Sequence, residues 1–300
     1  MKILALSGKK QSGKNTTCNF IHGIEMIAIG LVSRAGIDEK GQLILPVDND
    51  GVIEDVVYDL AANYQHNFQW CAENLWPFIK QYSFADTLKM NVCMGVLGLT
   101  YEQCYGTDEE KNSYTNLRWE DMPGMLAPYH VKALYPGREW GSAYNEVKAA
   151  GLRCHVRGYM TAREVMQFVG TEIFRRMYGD VWADATIRQI KAEGSQFAII
   201  TDCRFPNEVQ VVQDAGGKVI RLTRYVDATD EHESEKALDR EFFDWDRFDA
   251  IMDNMDANIR EQCVMTTDLL TEWGWLDERT QEAVNDVKVR QYQTTAKKES

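Results

Sequence analysis

The chain has 300 residues, 44% of them apolar, and a formal charge of −13 at neutral pH. That length fits one α/β domain with insertions better than two full domains. The acidity excludes a broad nucleic-acid surface, which needs clustered Lys and Arg against the phosphates. No window approaches the roughly 18 apolar residues of a membrane span, and the start lacks the charged-then-apolar pattern of a signal peptide, so the expectation is a cytoplasmic protein with no membrane partner. Seven cysteines without a C-x-x-C pair read as reduced, buried thiols rather than a disulfide frame or a zinc site.

The first element is "KILALS", Lys2 to Ser7, apolar enough for a central strand covered on both faces. Gly8-x-x-x-x-Gly13-Lys14 follows, and "NTTCNF" starts a helix. Strand, glycine loop and helix in that order are the setting of a phosphate-binding loop. The glycines let the backbone curl so that successive N–H groups point inward, and the helix N-terminus adds partial positive charge. Lys14 reaches the outer phosphates as a point charge. Asn15 stands where the usual pattern has Ser or Thr, and the hydroxyls come later, at Thr16 and Thr17.

"GIDEKGQLILPVDNDGVIEDVV" is expected to hold a β-hairpin around Asp48 to Gly51, a surface insertion without chemistry of its own. "LAANYQHNFQWCAENLWPFIKQ" is patterned like a helix ended by Pro77, with its aromatic residues in the core. "QYSFADTLKMNVCMGVL" reads as a brief strand ending near Phe84 and a helix from Asp86, which either caps that helix or faces an acceptor substrate. "GTDEEKNSYTNLRWEDMPG" is expected to be a loop, with Lys111 and Arg118 as candidate phosphate contacts.

"MTAREVMQFVGTEIFRRMYGDVW" opens with the capping-box signature Thr161-x-x-Glu164, after which Val165, Val169 and Ile173 recur at helical spacing. Arg163, Gln167 and Thr171 form a polar stripe at i, i+4 and i+8. Arg163 sits in the first helical turn, where the dipole favours anions, so an anionic ligand is expected beside it.

The last third reads as a βαβ unit: "FAIITD", a helix from Pro206 to Gly216-Gly217, and "KVIRLTR". Asp202 falls at the carboxyl end of its strand, the edge where open α/β sheets bind ligands. An apolar run closing on Asp is also the second motif of nucleotide-binding proteins, whose Asp orders Mg²⁺. Arg204, two residues on, is expected to point into the same crevice. The charged stretch Arg224 to Glu235 is the candidate lid that excludes water, with His232 in it as a surface or capping residue. "FDAIMDN" is the final strand and "MDANIREQCVMTTDLLTEW" the helix behind it, and the polar segment from Asp277 is expected to fray.

"LSGKKQSGKNTT", "SFADTLK", "GTDEEKN", "TAREVMQFVGTEIFR" with "DVW", "DCRFPNEV" and "FDAIMDN" occur in one order along the chain. In that set the chain resembles the phage deoxynucleoside monophosphate kinases, a branch of the P-loop kinases. The resemblance covers both ends and part of the middle, but not the hairpin region or much of residues 119–158. With the reading above, it implies an α/β fold of the P-loop kinase type, a mainly parallel sheet flanked by helices with an inserted β-hairpin. The expected organisation is a single domain over residues 1–276, insertions near 36–80 and 112–158, and a polar tail over 277–300.

The activity the resemblance implies is transfer of the γ-phosphoryl of ATP, with Mg²⁺, to a deoxynucleoside monophosphate, giving ADP and the diphosphate. It also implies a homodimer in the host cytoplasm. By position, Gly8, Ser12, Gly13, Lys14, Asn15, Thr16 and Thr17 would hold ATP, and Lys10, Lys111, Arg163, Gln167 and Thr171 the monophosphate. Thr16 and Asp202 would serve Mg²⁺, and Lys14, Arg163, Asp202 and Arg204 would meet the transferred group. The rival expectations are a P-loop kinase for another small acceptor, such as a dephospho-coenzyme A kinase, and a nucleotide-dependent binding protein that phosphorylates nothing.

Overall fold

The computed structural model describes residues 1–60, 67–126, 128–149, 153–154, 158–225 and 236–289. The strands are β1 (Lys2–Ser7), β2 (Ala35–Ile37), β3 (Leu43–Asn49), β4 (Val52–Val57), β5 (Ile79–Tyr82), β6 (Tyr114–Arg118), β7 (Met125–Leu126), β8 (Arg153–Cys154), β9 (Tyr159–Thr161), β10 (Phe197–Cys203), β11 (Lys218–Leu222), β12 (Ala250–Met252) and β13 (Val287–Val289). The α-helices are α1 (Lys14–Ala28), α2 (Phe68–Asn74), α3 (Tyr101–Tyr105), α4 (Asp108–Lys111), α5 (Pro128–Leu134), α6 (Trp140–Ala149), α7 (Ala162–Gln167), α8 (Val181–Glu193), α9 (Pro206–Asp214), α10 (Ile259–Glu272) and α11 (Glu278–Asp286). The chain divides into two compact units, Met1–Phe84 with Trp182–Ser300, and Ala85–Val181. No helix among the described residues is long and apolar enough to cross a membrane.

The first unit is built on a five-stranded sheet of order β12-β11-β1-β10-β5 in which every neighbour is parallel. Ile3 to Leu6 and Phe197 to Ile200 are all exposed by 2% or less, as unbroken apolar runs must be when both sheet faces are covered. Parallel pairing brings the carboxyl ends of β1, β10 and β11 to one edge, so Gly8 and Arg204 leave the sheet on the same side.

A second sheet of the same unit has the order β13-β2-β3-β4. The expected hairpin is β3 and β4, in register from Ile44 opposite Val57 to Asn49 opposite Val52, with the Gly51 N–H donating to Asp48 Oδ1 (2.7 Å) in its turn. The expected fraying from Asp277 does not occur over residues 277–289. Asp277 caps α11 by accepting from the Thr280 N–H (2.9 Å), and β13 pairs in parallel with β2. Thr280, Ala283 and Val287 are buried and lie three and four residues apart, an apolar face hidden within a polar composition. Residues 290–300, and the part of the candidate lid that includes His232, lie outside the described residues.

In the second unit a π-helix, Thr87–Met94, follows Asp86, whose side chain makes no cap hydrogen bond and instead accepts from the Tyr105 hydroxyl (3.0 Å). The stretch expected to be a loop after Gly106 contains α4 and β6, and β6 pairs antiparallel with β9. Arg118 within it is tied to Glu120 (2.7 Å). α7 opens with the expected capping box, the Glu164 N–H donating to Thr161 and the Thr161 N–H to Glu164. At Phe168 the helix changes to a π-helix that runs to Arg175.

Candidate functional site

Between β1 and α1 the backbone turns through Gly8 and Gly13, and Gly13 is left-handed at φ +97°. A side chain is excluded there twice over. That φ disfavours any Cβ, and one built on Gly13 would stand 2.5 Å from Gln262 Oε1. α1 then begins with no side-chain cap and no acidic residue in its first turn. Its first N–H groups and the positive end of its dipole are therefore uncompensated by side chains. Lys14 Nζ folds over the loop and donates to Gly8 O (2.7 Å), Lys9 O (2.6 Å) and Ser12 Oγ (3.3 Å).

The loop is held from behind by two amides. Asn254, just past β12, donates to Ser12 O (2.8 Å) and to Gln262 Oε1 (3.0 Å). Gln262, on α10, donates to Gly13 O (2.8 Å) and to Thr17 Oγ1 (2.9 Å). Both amides are buried, so each satisfied contact fixes geometry in a place where an unmade one is costly. At the loop's start the buried Arg221 donates to Ser7 Oγ (3.0 Å), and Lys9 pairs with Asp239 (2.6 Å).

A cleft of about 1230 Å³ opens in front of this loop. One wall is the loop and the start of α1, and another is the end of β10 with Asp202 and Arg204. The remaining walls are the turn between β2 and β3, the segment from Met255 to Arg260, and Val289. Six cations line it (Lys10, Lys14, Lys40, Arg204, Arg224 and Arg260) against three carboxylates (Glu39, Asp202 and Asp256). A basic cleft in a chain of charge −13 concentrates a local positive field. The Asp202 carboxylate accepts from Ser83 Oγ (2.6 Å) and the Phe84 N–H (2.8 Å), which fixes its orientation at the strand end. Arg224 braces the segment beyond β12 by donating to the carbonyls of Asn254 and Ala257.

Of the residues singled out in the sequence, Lys10, Ser12, Gly13, Lys14, Asn15, Thr16, Asp202 and Arg204 line this one cleft. Gly8 supplies a carbonyl to Lys14, and Thr17 is buried with its hydroxyl taken by Gln262. Lys111, Arg163, Gln167 and Thr171 belong to the second unit. Where an anionic ligand was expected beside Arg163, the structure has a carboxylate of the chain itself: Arg163 pairs with Asp108 (2.6 Å) and donates to Asn112 (3.0 Å). Gln167 and Thr171 are exposed, and the π-helix beginning at Phe168 takes Thr171 off the α-helical row of Arg163 and Gln167.

Sequence reasoning missed Asn254, Gln262, Glu39 and Lys40. Gln262 shares the buried face of α10 with Thr266 and Leu270, at i, i+4 and i+8, a face whose polar residue types hide it in the sequence. The hairpin region was expected to lie at the surface without chemistry, yet its first turn lines the cleft. The six cysteines whose side chains are described are free and buried, as the inert reading expects, and burial pushes the Cys263 thiol up to about 12.

No curated protein matches the chain. The family model described as "Deoxynucleotide monophosphate kinase" matches residues 141–257, which hold α7, Asp202, Arg204 and Asn254 but not the glycine loop. The match spans less than half of the chain and supports a kinase-type, phosphotransferase function related to that family.

Proposed function

We propose that the protein transfers the γ-phosphoryl of ATP to a deoxynucleoside monophosphate. The observation that carries this reading is the uncapped start of α1 behind a glycine loop, with Lys14 folded over it. Open N–H groups, a helix dipole and a lysine are what the outer phosphates of a nucleotide require. The family match supplies an independent line, since it falls on a part of the chain that does not include the loop.

In this reading the loop from Gly8 to Lys14 cradles the ATP phosphates, and Lys14 exchanges its loop carbonyls for phosphate oxygens. Phosphoryl transfer needs positioning and charge stabilisation more than covalent help from the protein. Lys14 and Arg204 meet the charge that spreads over the transferred group. Arg163, held by an exposed Asp108 pair that costs little to exchange, takes the acceptor phosphate together with Lys111, Gln167 and Thr171.

The Asp202 carboxylate at the strand end and the Thr16 hydroxyl beside the loop are oxygen donors of the cleft suited to a hard cation. Among the described residues no three His, Cys, Asp or Glu side chains come together, and Mg²⁺ in phosphoryl-transfer sites takes most of its ligands from phosphate and water. When bound, Mg²⁺ would neutralise charge on the phosphates. Asp202, oriented by Ser83 and Phe84, is placed to hold that ion or its water.

The test is ADP release from ATP and Mg²⁺, measured without acceptor and with each deoxynucleoside and ribonucleoside monophosphate in turn. The proposal expects release that depends on particular deoxynucleoside monophosphates, with the matching diphosphate formed. Stimulation by none of them, with ATP still bound, would refute the acceptor assignment.

A further inference from the structure

The turn between β2 and β3, Asp38 to Gln42, belongs to the accessory sheet, yet it is built against the start of α1. Asn19 on α1 donates to Gly41 O (2.8 Å). Gly41 is left-handed at φ +77°, and a Cβ there would overlap Thr16 Oγ1. The buried Asp38 carboxylate accepts from the Lys40 N–H (2.9 Å) and the Gln42 N–H (2.7 Å), so the turn is fixed from inside. Its two exposed tip residues, Glu39 and Lys40, both line the cleft. Their side chains make no hydrogen bond or ion pair among the described residues. A rigid turn that presents two unpaired charged groups to a cleft is arranged for something that enters the cleft.

From this arrangement we infer that Glu39 and Lys40 hold the nucleoside half of the donor nucleotide, its ribose and base. The inference rests on the reading that the glycine loop takes the phosphates, and two arguments extend it. The turn touches α1 at Thr16 and Asn19, three and six residues past Gly13. At about 1.5 Å of rise per residue the Asn19 contact lies about 9 Å along α1 from Gly13, past the first turn, while the Thr16 contact lies at the side of that first turn, so the β2–β3 turn flanks the helix start and extends away from it. A nucleotide with its phosphates on the loop therefore reaches the turn with its other half. The chemistry agrees, because a carboxylate repels phosphate but accepts well from sugar hydroxyls, while a lysine beside it donates to ribose or base acceptors.

The test compares two ligands that share the phosphates and differ in the nucleoside: ATP and inorganic tripolyphosphate, each with Mg²⁺, titrated by calorimetry against the full chain. In the combined variant Glu39→Ala/Lys40→Ala the Kd for ATP is expected to rise about tenfold while that for tripolyphosphate stays at the wild-type value. Lys14→Ala weakens both ligands. Circular dichroism checks that the exposed substitutions leave the fold unchanged. Equal weakening of both ligands, or unchanged ATP binding, overturns this inference alone. A wild-type chain that binds neither ligand overturns the phosphate-loop reading and this one with it.

Discussion

Replacing Gln262 by Met keeps the length and bulk of the side chain and removes its hydrogen bonds. Three are lost: the donations to Gly13 O (2.8 Å) and Thr17 Oγ1 (2.9 Å), and the one accepted from Asn254 (3.0 Å). At about 1 kcal/mol net for each, the loss of stability is about 3 kcal/mol. Gly13 lines the cleft and its carbonyl recovers part of its bonding from water, whereas the buried Thr17 Oγ1 does not, and Asn254 keeps its bond to Ser12 O. The measurement is urea unfolding, read alongside ATP binding by calorimetry. Because Gly13 loses its anchor, ATP affinity is expected to fall with stability, by about tenfold. A cycle with Asn254→Ala should be non-additive, since the two amides share a bond. Full stability loss with unchanged ATP affinity would refute the idea that the amide pair sets the shape of the loop, and no stability loss would refute the hydrogen bonds themselves.

Lys14→Ala is expected to abolish phosphoryl transfer with the fold intact, and normal turnover in the folded variant would remove the loop from the mechanism. The buried His22 donates from Nδ1 to Cys18 O (2.9 Å), and burial lowers its pKa from 6.5 to about 4. As pH falls below 6.5 the unfolded chain takes the proton first, so stability drops until pH passes the folded value near 4. The total is about 3 kcal/mol, seen as a difference in urea unfolding between wild type and His22→Gln across that window; parallel curves would contradict it. Gly41→Ala combines a left-handed φ with a clash at Thr16 and should cost about 1–3 kcal/mol in the same assay, which wild-type stability would disprove. Asp108→Ala should change stability by less than about 1 kcal/mol, whereas Arg163→Ala should raise the KM for the monophosphate. A KM unaffected by Arg163→Ala would exclude it from the acceptor site.

The features legible in the sequence were those specified by near neighbours. The apolar run of β1, the spacing of Gly8, Gly13 and Lys14 and the Thr161 to Glu164 capping box each declare themselves within a dozen residues, and the β10-α9-β11 unit within one continuous stretch from Phe197 to Leu222. The partner of Arg163 was hidden because Asp108 lies 55 residues away, on a helix that read as a loop. The two π-helices were hidden for another reason, since an i→i+5 ladder has no residue pattern of its own. α11 escaped because polar composition drew attention away from the spacing of Thr280, Ala283 and Val287. The role of the turn at Glu39 and Lys40 depends on Gly41 meeting Thr16, a contact that no local pattern encodes.

The amides that grip the glycine loop come from 242 and 249 residues further along the chain than the backbone atoms they hold. A growing polypeptide exposes Gly8 to Lys14 first and waits, on the order of tens of seconds at cellular rates of synthesis, before Asn254 and Gln262 emerge. Both strands that flank β1 also arrive late, after residue 196. Nascent or C-terminally shortened chains therefore carry the loop sequence without its shape, and in the function proposed above nucleotide adds its stabilisation only to chains whose fold is finished.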